Sequence, residues 1–273
     1  MLLLRVSGFL VLGLLGCSSR PPRELRVCAD PNNLPFSNQR REGFENRLAE
    51  LVGSELGLTV RYFWWPQRRG FIRNTLAAHH CDLVMGTTSG AELVLTTRPY
   101  YRSTYVFVYR KDRGLTISSL DDPVLRKLRI GVQLVGDDYA NTPPVDALSR
   151  RGIVGNLVGF SVLGDYSKPN PPARIIDAVI AGQVDLALAW GPLAGYFAKR
   201  SPAPLEVIPV SPAADSPTVR FAFDISLAVR PEDHALREEL NGVLERKRRE
   251  VDRLLAEYGV PVVAGGGVPS YDR

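Results

Sequence analysis

Few side chains in this sequence are arranged for covalent chemistry. Its three histidines are His79, His80 and His234. The first two end a helical pattern, and His234 begins another beside Glu232 and Asp233. None stands in pattern near a Ser or free Cys that it could activate as a nucleophile. There is no glycine-rich phosphate loop and no Cys-x-x-Cys-His haem attachment. Asp121-Asp122 and Asp137-Asp138 could draw a cation, but paired acids in turns usually cap the backbone. The chain is expected to bind and not to catalyse: no enzyme, no metal, no cofactor.

Groups suited to binding are plentiful. Trp64 and Trp65 end one apolar run, and Trp190 ends another. Asn32, Asn33 and Phe36 occupy a loop between a strand pattern and a helix pattern. Tyr100, Tyr101, Asp137, Asp138 and Tyr139 complete the candidate cleft. Aromatics and amides with few charges describe either an apolar small-molecule cleft or a protein-binding hot spot. By strand alternation, at most one of Trp64 and Trp65 faces inward.

The elements that must position these groups follow from the apolar pattern. Leu25–Ala29 reads as a buried strand, and Pro31 to Pro35 as a turn-rich loop. Phe44, Leu48, Leu51, Val52 and Leu56 then recur at helical spacing up to Gly57. A strand, a loop at its carboxyl end and a helix form the unit that builds ligand crevices in open α/β sheets. Further strands are expected near 58–63, 83–86 and 105–109, and a short helix near 70–79. A second α/β series follows: strands near 128–132, 157–163, 186–189 and 205–210, with helices near 145–150 and 173–181. Tyr166 to Pro172 reads as a surface loop. The chain returns through a strand at 222–229 into one long basic helix, with Leu236, Leu240, Val243, Leu244, Val251, Leu254, Leu255 and Tyr258 on its buried face. Residues near 105 and 220 are thus two crossings between lobes, and two crossings make a hinge over a cleft.

At 273 residues, 45% hydrophobic and 23% charged, the chain can bury a real core. A net charge of +5 is too mild to imply nucleic acid. Residues 1–17 read as an export signal whose Leu14-Leu15-Gly16-Cys17 resembles a lipobox, so Cys17 is a candidate for lipidation. A plain cleaved signal with Cys17 as bystander is the other reading. Residues 18–23 form a tether, 24–105 with 221–260 the first lobe, 106–220 the second, and 261–273 a tail. In an oxidising compartment the remaining pair, Cys28 and Cys81, is expected to form a disulfide across neighbouring strands. The competing reading makes His79-His80-Cys81-Asp82 a metal cluster, at a spacing that matches no zinc pattern.

Six segments carry a family resemblance: CADPNNLPFSN from Cys28, GFENRLAELV from Gly43, YFWWPQRRGFIRNTL from Tyr62, CDLVMG from Cys81, RPYYRSTYVFV from Arg98, and GDYSKPNPPARIIDAVIAGQVDLALAWGPLAGYFA from Gly164. Together they resemble extracellular solute-binding protein family 3, and within it the MoxJ/XoxJ-type accessory proteins of methanol oxidation. The resemblance implies a two-lobed α/β periplasmic-binding-protein-like fold with a cleft between the lobes. It also implies a role in maturing or activating a PQQ-dependent methanol or alcohol dehydrogenase; Cys17 followed by Ser18 points to a lipid anchor in the outer membrane, and a monomer is expected. Partners would be that enzyme's large subunit or its cytochrome c, with a small neutral ligand possible. An ABC-transporter receptor for a neutral or aromatic molecule is the alternative, and a dehydratase-like enzyme a distant third.

The departures from transporter-type members decide against amino acids as ligands. Where the family carries an Arg for a ligand carboxylate, counting back from Pro99-Tyr100 lands on Gly90. Where it carries an Asp for a ligand ammonium, this chain has Trp190. Its Gly-Thr-Thr-like turn is Gly136-Asp137-Asp138 here, which repels an anion. Without those partners a zwitterion's desolvation is not offset.

Overall fold

The computed structural model describes residues 23–135, 140–162 and 165–264. The signal with Cys17, most of the tether, and the expected site residues Asp137, Asp138 and Tyr139 lie outside them. One mixed sheet runs through both lobes. Its strands, in order, are Leu157–Ser161, Ile130–Val135, Leu186–Trp190, Tyr101–Arg110, Ala222–Val229, Leu83–Thr88, Glu24–Ala29 and Thr59–Trp64. The expected two-lobed α/β fold is what the chain forms.

The hinge is the pairing of the two crossing strands. Tyr101 to Thr104 run antiparallel to Ala222–Ile225 on the first-lobe side. Beyond them, Val106 to Arg110 pair with Leu205–Pro209, and Tyr105 to Val108 pair with Trp190 to Ala187, inside the second lobe. One ten-residue strand, Tyr101–Arg110, therefore serves both lobes. Its buried residues alternate little because both of its faces are covered.

In the first lobe, Glu24–Ala29 pairs parallel with Thr59–Trp64 through the helix Phe44–Leu56. Parallel pairing needs such a crossover. Phe44, Leu48, Ala49 and Val52 face the core, and Gly57 at φ 64° ends the helix in the left-handed region. Glu24–Ala29 also pairs with Leu83–Thr88, as expected of the first and third strands. Cys28 and Cys81 are joined there, with Cα atoms 5.5 Å apart, among Phe71, Leu76, Val84 and Ala228. That leaves no metal cluster at His79–Asp82. Asp82 is held by Arg26 at 2.6 Å and Arg230 at 3.1 Å, and His80 lies flat on Phe63 at 4.6 Å.

Three expectations need correction. The single basic helix is two, His234–Arg246 and Arg248–Glu257, broken at Lys247, whose amine reaches Glu55 at 3.0 Å. The break lets both pieces keep their apolar residues on the first-lobe core. The expected helix near 70–79 is only Phe71–Asn74: Thr75 leaves the helical region at φ −125°, ψ −80°, with its hydroxyl donating to the Phe71 carbonyl at 2.7 Å. A helix was missed at Gly191–Lys199. There a Cβ on Gly195 would stand 1.9 Å from the Gly259 carbonyl oxygen, so this glycine permits contact between the helix and the C-terminal segment.

Candidate functional site: the cleft between the lobes

The loops at the carboxyl ends of the strands enclose a cavity of about 440 Å³, where open α/β sheets bind ligands. The first lobe contributes Asp30, Asn32, Asn33, Phe36, Gln67, Thr88, Phe223 and Ile225. The second contributes Gln133, Val135, Thr142, Pro143, Val162, Tyr166, Pro172, Trp190 and Leu193, and Tyr105 sits at the crossing between them. No Lys or Arg is among the described lining residues.

Trp190 sits at the centre of the aromatic wall. Its ring meets Tyr105 edge-on at 5.4 Å and Phe223 at 6.0 Å. The register sets this up: Trp190 is paired with Tyr105 across the sheet. Its backbone N–H donates to the Gln133 side-chain oxygen at 2.7 Å, and the Gln133 carbonyl accepts from the Thr142 hydroxyl at 2.9 Å. Buried Gln133 thus ties two strand ends of the second lobe together. Burial holds the Tyr105 phenol above its ordinary pKa, so it stays a neutral donor.

Across the mouth, the lobes are latched. Asp30 is 3% exposed, which would be costly without partners. Its carboxyl accepts from the backbone N–H of Asn32 at 2.8 Å and of Gln67 at 2.6 Å, and from the Tyr166 hydroxyl of the second lobe. Asn32 donates to the Lys168 carbonyl at 2.9 Å, a second bond between lobes. Arg68 lies 5.4 Å over the Tyr166 ring. Burial, and then the bond to Asp30, raise the Tyr166 phenol's pKa.

Below the cavity lies a recess of about 160 Å³ lined by Asn33, Phe36, Glu45, Gln67, Gly86, Thr87, Tyr101, Trp190 and Ile225. The Pro35 and Phe36 carbonyls accept the first helical N–H groups at 2.8 and 3.0 Å, which fixes Phe36 beside Glu45. Glu45 is half-buried, and it lines the recess. Burial, and then the neighbouring Asp30, push its pKa up to about 8.

Of the residues expected from sequence, Asn32, Asn33, Phe36 and Trp190 come together in the cavity, and Tyr101 touches only the recess. Trp64 and Trp65 do not line it. Their strand is the edge of the sheet, so the two rings turn outward on opposite faces. Trp64 stacks on Tyr62 at 4.7 Å and Trp65 on Phe63 at 6.2 Å. Tyr100 is also displaced, buried in the first-lobe core with its hydroxyl donating to the Met85 carbonyl at 3.0 Å. Gly90 stands outside the cavity lining too, at φ 72° in a turn.

Sequence reasoning missed Asp30, Glu45, Gln67, Tyr105, Gln133, Tyr166 and Phe223. Asp30 had a signal, since it directly follows the first strand and opens the Pro-Asn-Asn turn. Tyr105 and Phe223 lie on the crossing strands themselves, where any inward side chain must meet the cleft. Tyr166 had none, being one residue of a proline-rich loop.

Comparison with known proteins gives a consistent picture. Residues 25–260 match the bacterial extracellular solute-binding proteins, family 3. Protein MoxJ of Methylorubrum extorquens is 31% identical over 247 residues, spanning 88% of this chain and 81% of that protein. The crystal structure of the periplasmic binding protein XoxJ from Methylobacterium extorquens AM1 superposes with a TM-score of 0.73 at 36% identity, covering 88% of this chain and 100% of that one. MxaJ from Methlophaga aminisulfidivorans MPT gives 0.74 at 28% identity with coverage of 88% and 100%.

Proposed function

The chain belongs to family 3 of the bacterial extracellular solute-binding proteins, in the MoxJ/XoxJ-type branch, and from that premise we propose that it is a periplasmic accessory of a PQQ-dependent methanol or alcohol dehydrogenase. In this reading it assists maturation or activation of the enzyme by binding its large subunit or its cytochrome c. A lipid on Cys17 holds it at the outer membrane. Its working parts are residues 24–105 with 221–260, and 106–220.

The observation that carries the reading is the aromatic cleft: five rings and four amides surround it, and no described lining residue is a Lys or Arg. The scaffold is that of a solute receptor, while the cleft has lost the basic clamp for an amino acid's carboxylate. An apolar, aromatic surface of this kind suits a partner's side chains or an uncharged ring.

The latch across the cleft favours a second reading, an ABC-transporter receptor for a neutral or aromatic molecule. Deleting the gene separates the two. Loss of periplasmic PQQ-dehydrogenase activity, restored by the wild-type gene, supports the accessory role. Unchanged dehydrogenase activity with loss of uptake of a small molecule supports the receptor.

A further inference from the structure

The Glu45 carboxyl lies against the bare backbone of Gly86, where a Cβ would stand 2.2 Å from Oε1. Among the described residues no hydrogen bond and no cation relieves it. Burial and the Asp30 carboxyl are the influences on it. A carboxyl on the wall of a recess, with no partner of its own, is open to a ligand's complement. The recess shares Asn33, Phe36, Gln67, Trp190 and Ile225 with the cavity above, so the two spaces form one chamber. Rings of Phe36, Tyr101 and Trp190 stand around the acid. Ring faces and a carboxylate attract the same kind of group, a cation.

The charged groups facing Glu45 give it no internal partner. Asp30, from the loop after the first strand, is another acid. Tyr101 begins the crossing strand and Tyr100 precedes it; burial raises both phenols' pKa values, followed at Tyr100 by Tyr101 and then Glu45, and at Tyr101 by Glu45. A ligand carboxylate would meet these acids and no basic group in the described lining.

We propose that the cleft takes an amine lacking a carboxylate, with its ammonium group in the recess against Glu45 and its apolar body between Trp190, Tyr105 and Phe223. This rests on reading the cleft as a ligand site and does not depend on the dehydrogenase partner. The amine supplies the cation that Glu45 lacks. Pairing favours the ionised carboxyl, so binding releases a proton wherever the empty site holds one.

Calorimetry of the mature protein with benzylamine and with benzyl alcohol, a neutral analogue of similar shape, tests this. Run in two buffers of different ionisation enthalpy, it also counts protons. Benzylamine is expected to bind at least about tenfold tighter than the alcohol, the worth of one good charged contact. Glu45→Gln should remove that preference. In the wild type, amine affinity should fall as pH drops from about 8 toward about 6, while alcohol affinity stays level. Equal affinities, a preference that survives in folded Glu45→Gln protein, or no amine binding would overturn the proposal. Alcohol binding without amine preference would overturn it while leaving the cleft a ligand site.

Discussion

The hydroxyl of Tyr166 donates a hydrogen bond to the buried carboxyl of Asp30, joining the second lobe to the first across the mouth of the cleft. Asp30 also accepts from Asn32 and Gln67, so one acid fixes two loops of its own lobe and holds the opposite lobe shut. Removing the Tyr166 hydroxyl with Tyr166→Phe takes away one bond of a kind worth about 1.5–3 kcal/mol. At the partly wet mouth the effect is smaller, but closure has few other bonds. The variant should populate open forms, read as a larger radius of gyration in small-angle scattering. Scattering identical to wild type would show that the latch does not govern closure.

Glu45 predicts a pH dependence of stability with a definite sign. Its pKa rises from 4.5 to about 8 on folding, so between those values the folded state binds more protons than the unfolded one. Stability from this group therefore falls as pH rises through that window. Glu45→Gln removes the slope. The variant's advantage in melting temperature should grow from about pH 5 to about pH 8 and then level off. An advantage that is constant across the series contradicts the assignment.

The Cys28–Cys81 bond closes a loop with a sequence separation of 53. Thiol titration of denatured, unreduced mature protein should find both cysteines unreactive. Replacing both with alanine should cost about 2–4 kcal/mol by chain entropy, read in urea unfolding. Two reactive thiols in that titration would remove the disulfide from the account.

Amino acids should not bind. Trp190 lines the cleft, Gly90 stands outside it, and the described lining offers no guanidinium to a carboxylate. Calorimetry with glutamate, arginine, histidine and glutamine should show no binding near micromolar concentrations. Tight binding of any of them would mean that another group replaces the clamp.

The lobes and the hinge were legible because buried strands are continuous apolar runs and the two crossings fall at their ends. The helix Gly191–Lys199 was not, since every residue from Gly191 to Tyr196 is buried and its glycines and proline leave no one-sided apolar period. Trp64 and Trp65 were misplaced for a similar reason. Aromatic content is local, but whether a strand lies at a sheet edge depends on the whole topology. Glu45 was overlooked because it sits beside core residue Phe44 in an ordinary first helical turn. Only the packing of that turn on Gly86 turns it into the floor of a site.

The accessory role rests on the cleft meeting a dehydrogenase. Biolayer interferometry with the mature protein and the purified PQQ-dehydrogenase subunit from the same organism measures that contact directly. Saturable binding is predicted, weakened about thirtyfold by Trp190→Ala, the roughly 2 kcal/mol of a hot spot. Arg248→Glu with Arg249→Glu should change mainly the association rate and its salt dependence. Each variant's fold is verified first, because Trp190 also packs on Tyr105 and Phe223. Normal binding by folded Trp190→Ala protein, with capture abolished by the charge reversal, would place the interface on the basic helix and contradict a role for the cleft.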